Sequence, residues 1–246
     1  MTVAQGGRLT AAHEGVARLL TPNFDGIPEE LRSKLGWGVW KAEPRPNGKV
    51  SKAPRSCATG GNIPSNDPSQ RGTYAEAREA YQRGGFSGIG VFADRATTIV
   101  GIDIDNVKEL VKEGEALKLW IEDYLVAGGY LEQSPSGKGL RAFVKGKMAV
   151  SARRHGGLEI YADRQFLTVT GRGKGQLING QRHIDAFLAL IEYLAAGRKP
   201  VERSKVIPLH GRSDSSKTDA IAPRMIDEID IAMRARTPEL ARGDWA

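Results

Sequence analysis

Apolar residues recur at every second position in several short runs of this chain and at every third or fourth position in longer ones, so strands and helices are interleaved. Strands are expected over residues 36–41, 88–92, 97–106, 130–133, 140–145, 158–161 and 166–170, each rich in β-branched or aromatic residues and bounded by Gly, Pro or polar turns. Helices are expected where the period lengthens. Thr10 is placed to cap residues 11–20, with Pro22 as a stop, and Pro28 followed by Glu29 and Glu30 is a good helix start. Over 73–83, Thr73 and Glu76 form a capping box and Gly84-Gly85 ends the run. Residues 107–126 read as one helix weakened at Gly114, and 181–196 carry an apolar stripe through Ile184, Phe187, Leu188, Ile191 and Leu194. The short turn Ala93-Asp94-Arg95-Ala96 predicts that strands 88–92 and 97–106 pair as a hairpin.

Periodicity fails after residue 197. A basic, Ser-rich stretch over 198–220 reads as a linker, followed by one more amphipathic helix over 221–236. The expected organisation is an N-terminal extension (1–26), a main domain (27–197), the linker, and a helical segment (221–246) that begins a C-terminal part removed from a longer protein.

Composition narrows the class. No run approaches the ~20 apolar residues that span a bilayer, and no basic-then-apolar leader opens the chain, so a soluble cytoplasmic protein with no membrane partner is expected. The single Cys57 excludes an internal disulfide and any multi-cysteine zinc site. With 36 Lys+Arg against 29 Asp+Glu the net charge is +7, which favours a polyanionic partner such as nucleic acid.

Three features carry candidate chemistry. The strand stretch 97–106 ends by placing Asp103 and Asp105 two residues apart and so on one face. Like charges held that close are costly to ionise without a cation between them, and hard oxygen ligands suit Mg²⁺ or Mn²⁺. The alternative is that one Asp caps the following helix while the other is solvated. The second feature is Ser134-Pro-Ser-Gly-Lys-Gly-Leu-Arg141, where two glycines around a lysine would let backbone N–H groups approach an anion and set Ser136, Gly137, Lys138 and Arg141 around a triphosphate. It lacks Walker spacing, and a plain β-hairpin turn would look similar. The third is Glu159, an acid in mid-strand that needs a cation, a basic partner or solvent. Six basic residues and no acid lie between Ser134 and Arg154. Upstream, Lys41, Arg45, Lys49, Lys52 and Arg55 crowd a proline-rich loop beside Trp37 and Trp40, either as a solvated excursion or as a contact surface for phosphates and bases.

The order of these phrases resembles the archaeo-eukaryotic primase superfamily, in particular the bifunctional primase-polymerases of phages and plasmids. The likeness runs over residues 27–190 through Trp37-Gly-Val-Trp40-Lys41, Gly101-Ile-Asp-Ile-Asp105, Ser134-Pro-Ser-Gly-Lys-Gly139, Leu158-Glu-Ile-Tyr161 and Phe166-Leu-Thr-Val-Thr-Gly171. It implies an α+β fold (α/β two-layer) with an RRM-like, mostly antiparallel catalytic sheet, an N-terminal α/β module and C-terminal helices. It also implies template-directed nucleotidyl transfer by a DNA primase or DNA polymerase, with NTP or dNTP substrates, a single-stranded DNA template and a primer. Asp103, Asp105 and Glu159 would be the catalytic residues and the ligands of two Mg²⁺ or Mn²⁺ ions. Ser136, Gly137, Lys138 and Arg141 would hold the nucleotide, while Trp40, Lys41, Lys49, Lys52 and Arg55 would contact DNA. A C-terminal helicase often follows in such proteins. One position departs from the pattern, since Arg141 stands where the family usually has a histidine. Two other classes stay open: a non-catalytic module binding single-stranded or origin DNA, and a two-metal nuclease.

Overall fold

A computed structural model of the chain describes residues 19–197 except Leu35, Asn47, Gly48 and Gly114. The helix expected over 221–236 and the linker at 198–220 therefore lie outside the described residues, as does the helix expected over 11–20 apart from Leu19 and Leu20, which are not helical. Among those described, no helix is long and apolar enough to cross a membrane.

The order of elements is α1 (Glu29–Lys34), β1 (Trp37–Trp40), β2 (Glu43–Pro44), β3 (Val50–Ser51), β4 (Pro54–Arg55), α2 (Tyr74–Gln82), β5 (Gly88–Phe92) and β6 (Ile99–Ile104). Then follow α3 (Val107–Glu113), α4 (Glu115–Val126), β7 (Tyr130–Gln133), β8 (Leu140–Lys145), β9 (Ala152–His155), β10 (Leu158–Tyr161), β11 (Phe166–Val169), β12 (Gly173–Lys174) and α5 (Gln181–Ala195). The fold is α+β. A six-stranded sheet runs β12-β7-β8-β6-β10-β9, a four-stranded sheet runs β11-β5-β1-β4, and β2 with β3 makes a small ribbon. Every strand pair within these sheets is antiparallel.

Alternation along β6 explains how the two large sheets meet. Val100, Ile102 and Ile104 face a core built with Leu117, Trp120, Ile121 and Tyr124 of α4 and Ile184, Phe187 and Ile191 of α5, residues at helical spacing on their own elements. Ile99 faces the other way, into a core shared with Tyr130, Phe143, Tyr161 and the second sheet's Val39, Ile89, Val91, Leu167 and Val169, where Leu31 of α1 and Ala77 and Ala80 of α2 also pack. Gly101 lies on that side as well. A Cβ there would stand 2.1 Å from Leu167 Cδ1, so a larger residue would have to push the Leu167 side chain aside where the sheets meet.

Two expectations change. The predicted hairpin of 88–92 with 97–106 does not form, because β5 pairs with β1 and β11 while β6 pairs with β8 and β10. The intervening turn, a 3₁₀ segment capped by Asp94 and closed by Thr98 at φ 56°, carries the chain from one sheet to the other. A short turn between two apolar strands suits either outcome, and burial of β5 on both faces decided it. The loop at 41–55 also has more structure than its composition suggests, since β2, β3 and β4 lie within it, and β9 is a strand that polarity concealed. The capping box at Thr73 and Glu76 is present as expected.

Candidate active site

Four adjacent strands of the six-stranded sheet place one ionisable residue each on the side facing the second sheet. The register sets Glu132 (β7) opposite Arg141 (β8), Arg141 opposite Asp103 (β6), and Asp103 opposite Glu159 (β10). Arg154 on the edge strand β9 stands opposite Glu159 and extends the row. Asp103 and Glu159, separated by 56 positions in the chain (159 − 103), are thus cross-strand neighbours. Sequence spacing gave the two aspartates, but only strand order brings the third acid to them.

Asp105 lies just beyond β6, held by its N–H donating to the Gly157 carbonyl at 2.8 Å. Two residues on, the Val107 N–H donates to the Lys138 carbonyl at 3.0 Å, so the start of α3 is pinned to the turn between β7 and β8. Glycines just ahead of β8 and β10, the two strands beside β6, flank Asp105. A Cβ on Gly139 would stand 2.5 Å from the Ile104 carbonyl oxygen, and one on Gly157 would reach 3.6 Å from Asp105 Cβ. Burial raises the pKa of the Asp105 carboxyl, and the Asp103 charge raises it further, against the opposing pull of Arg141, Lys52 and Lys49.

Asp103 is engaged on one side only. Its Oδ2 accepts from Arg141 at 2.9 Å, while Oδ1 is buried without a hydrogen-bond partner. Arg141, 5% exposed, gives its other terminal nitrogen to the Thr168 carbonyl at 2.6 Å. Burial alone would depress this guanidinium's pKa, but Asp103, Glu132 and Asp105 hold it raised. Glu159 Oε2 accepts from the Tyr161 hydroxyl at 2.6 Å. Burial and that carboxylate push the Tyr161 pKa up.

The turn 134–139 is closed on itself. Gly137 N–H donates to the Ser134 carbonyl, and the Lys138 and Gly139 N–H groups donate to Ser136 Oγ and Ser134 Oγ. What it offers to solvent is the exposed side chains of Ser136 and Lys138.

The proline-rich loop divides. Trp40 is 1% exposed and donates its indole N–H to the Ile89 carbonyl, so its ring belongs to the core beneath β2 and β3 and has no face for a base. Arg55 is paired with Glu43 and also reaches the Gly60 carbonyl. Lys41 and Lys49 are exposed. Lys52 is half-buried where the charges of Arg141, Asp103 and Asp105 act on it, its pKa lowered by burial and by Arg141. Val50 of β3 packs on the aromatic core of Trp40, Phe92 and Phe166.

Sequence reasoning missed Glu132. It is wholly buried and accepts from the Tyr130 hydroxyl at 2.7 Å, the Thr170 N–H at 3.0 Å and the Gly171 N–H at 2.7 Å. Its only sequence signal was an acid inside the apolar strand Tyr130–Gln133. Burial raises its pKa, partly offset by those donors and by Arg141.

The donor set suits a hard divalent ion. Asp103 presents an unpartnered buried oxygen, Asp105 is exposed just beyond the same strand, and Glu159 adjoins Asp103 in register. Among the described residues, however, no three acidic, His or Cys side chains are already gathered as an ion's ligand set.

An antiparallel sheet with a row of acidic and basic side chains on the face toward a second sheet defines this α+β protein. A comparison with known proteins narrows this. The chain is 30% identical over 143 residues to the DNA primase-polymerase of Nitratiruptor phage NrS-1, a match covering 55% of this chain and 19% of that protein. The similarity supports a distant relationship to primase-polymerases, over about a fifth of the relative's length. No family model matches the chain.

Proposed function

We propose that this domain carries out template-directed nucleotidyl transfer on DNA, as a primase, a polymerase or both, in replication of the phage or plasmid type. The observation that carries the reading is the cross-strand row, in which Asp103 adjoins Glu159 on one side and a buried arginine on the other, with Asp105 at its mouth. Asp103, Asp105 and Glu159 would hold Mg²⁺ or Mn²⁺. Such ions, when bound, neutralise charge on the attacking and leaving oxygens of phosphoryl transfer. The protein's own part is to hold the reactants. Ser136 and Lys138 at the exposed turn, with Lys52 from the opposite wall, bind the triphosphate of an incoming NTP or dNTP. The exposed Lys41 and Lys49 bind the template backbone. A primer's 3′-hydroxyl oxygen attacks the α-phosphorus and loses its proton to water, the bond to the β-phosphate bridging oxygen breaks, and pyrophosphate leaves.

Primer extension on a single-stranded template with added Mg²⁺ or Mn²⁺ tests this. Asp103→Ala/Asp105→Ala is expected to abolish synthesis while retaining DNA binding; undiminished extension by the double variant would refute the assignment. One observation favours a second reading. The Asp103–Arg141 ion pair fills part of the carboxylate site, as a non-catalytic single-stranded DNA-binding module would allow. Salt-sensitive DNA binding without metal-dependent nucleotide binding would select that reading instead.

A further inference from the structure

The row contains a permanently charged cation whose neighbours hold it still. Arg141 donates to Asp103 Oδ2 at 2.9 Å and to the Thr168 carbonyl at 2.6 Å, and Glu132 stands on its other side in register. A guanidinium cannot leave by losing its proton. Thr168 belongs to the second sheet, so the arginine also bridges the two layers where the cleft begins. Asp103 meanwhile keeps Oδ1 buried and unpartnered. A carboxylate with a bound cation on one oxygen and an unsatisfied second oxygen is partly neutralised, and any further cation there meets repulsion from the first.

We propose that Arg141 is a resident counter-ion of the carboxylate site: it holds Asp103 in the metal-free protein and lowers the affinity of that site for a divalent ion. The inference rests on the nucleotidyl-transfer reading for the identity of the ion. Its consequences concern this chain's own residues. The hydrogen bond to Thr168 and the neighbouring charge of Glu132 keep the guanidinium in place when an ion approaches, so Arg141 acts as a positioning residue. The apo domain needs no metal to hold Asp103 and Glu159 side by side. An ion binds weakly until a second ligand, the triphosphate of a nucleotide, adds its own negative charge to the cleft.

Titration of the wild-type chain and of Arg141→Gln, Arg141→His and Arg141→Lys with Mn²⁺ alone, read by calorimetry and by the manganese paramagnetic resonance signal, tests this. Removal of the charge in Arg141→Gln is expected to tighten Mn²⁺ binding roughly tenfold, the size of a one-unit shift caused by a nearby charge. Arg141→His, titrated at pH 8 where imidazole is neutral, is expected to follow it, and Arg141→Lys to stay near the wild type. Thermal unfolding gives an independent readout, with the metal-free glutamine variant less stable than wild type and gaining more from added Mn²⁺. Should the glutamine variant fail to fold, the histidine and lysine pair makes the same comparison. Equal or weaker Mn²⁺ binding in the neutral variants overturns the proposal. Primer extension by the wild type, measured alongside, separates the two ideas. Extension with unchanged Mn²⁺ affinity in the variants overturns the counter-ion and leaves the transfer reading standing. Tighter binding in the variants without extension by the wild type supports the counter-ion and removes the polymerase.

Discussion

Replacing Glu132 by alanine tests whether the buried acid organises the site. The carboxylate is 1% exposed and receives three donors, the Tyr130 hydroxyl and the Thr170 and Gly171 N–H groups. Truncation leaves all three in the interior and removes the negative neighbour of Arg141. Each orphaned buried donor costs ~1–3 kcal/mol, and breaking a buried charged network costs ~3–5 kcal/mol. The terms overlap, so a loss of about 3–5 kcal/mol is expected, a large share of the ~5–15 kcal/mol that holds a domain folded. In urea, with a slope of about 2 kcal/mol/M, the midpoint should fall by roughly 2 M. Glu132→Gln, which keeps the shape and one acceptor, should lose less. The pH dependence has a definite sign. Burial raises this carboxyl above its ordinary 4.5, so its contribution to stability is complete below that value and declines as pH rises through the raised folded one. The gap between wild type and Glu132→Gln should therefore narrow from acid to neutral pH. A midpoint shift below ~0.5 M for Glu132→Ala at unchanged slope would show that the donors find other partners and that Glu132 organises nothing.

Further tests address separate parts of the cleft. Lys52→Ala should raise the nucleotide KM roughly tenfold with a smaller effect on kcat, as loss of a ground-state phosphate contact does, and Lys52→Arg should restore much of it; an unchanged KM would return Lys52 to the solvated loop. Gly139→Ala forces a Cβ to within 2.5 Å of the Ile104 carbonyl, so its melting temperature should fall by ~4–8 °C for a cost of about 2 kcal/mol. A wild-type melting curve for that variant would mean the turn beside Asp105 yields freely. Cys57 is 7% exposed and burial pushes its thiol up to about 11, so a disulfide reagent at pH 8 should label it only in step with urea unfolding. Rapid labelling of native protein would contradict the burial.

Much of the architecture was legible because its signals are local. The capping box at Thr73, the stripe of 181–196 and the alternation over 140–145 and 158–161 each depend on residues a few positions apart, and the corresponding elements form as expected. The pair Asp103 and Asp105 was visible for the same reason. Partnerships between distant segments were not. The turn at 93–96 says nothing about which sheet β6 joins, and Trp40 reads as a DNA contact until β3 is seen to cover it. Lys52 looked like one more loop charge, and Glu132 an unexplained acid in a strand. Local chain chemistry determined where strands and helices fall and which residue types could bind a cation. The tertiary structure decided that β7, β8, β6 and β10 lie side by side, because strand order depends on burying both faces of the six-stranded sheet at once. That order aligns Glu132, Arg141, Asp103 and Glu159 in one row and leaves an arginine paired with the first of the aspartates.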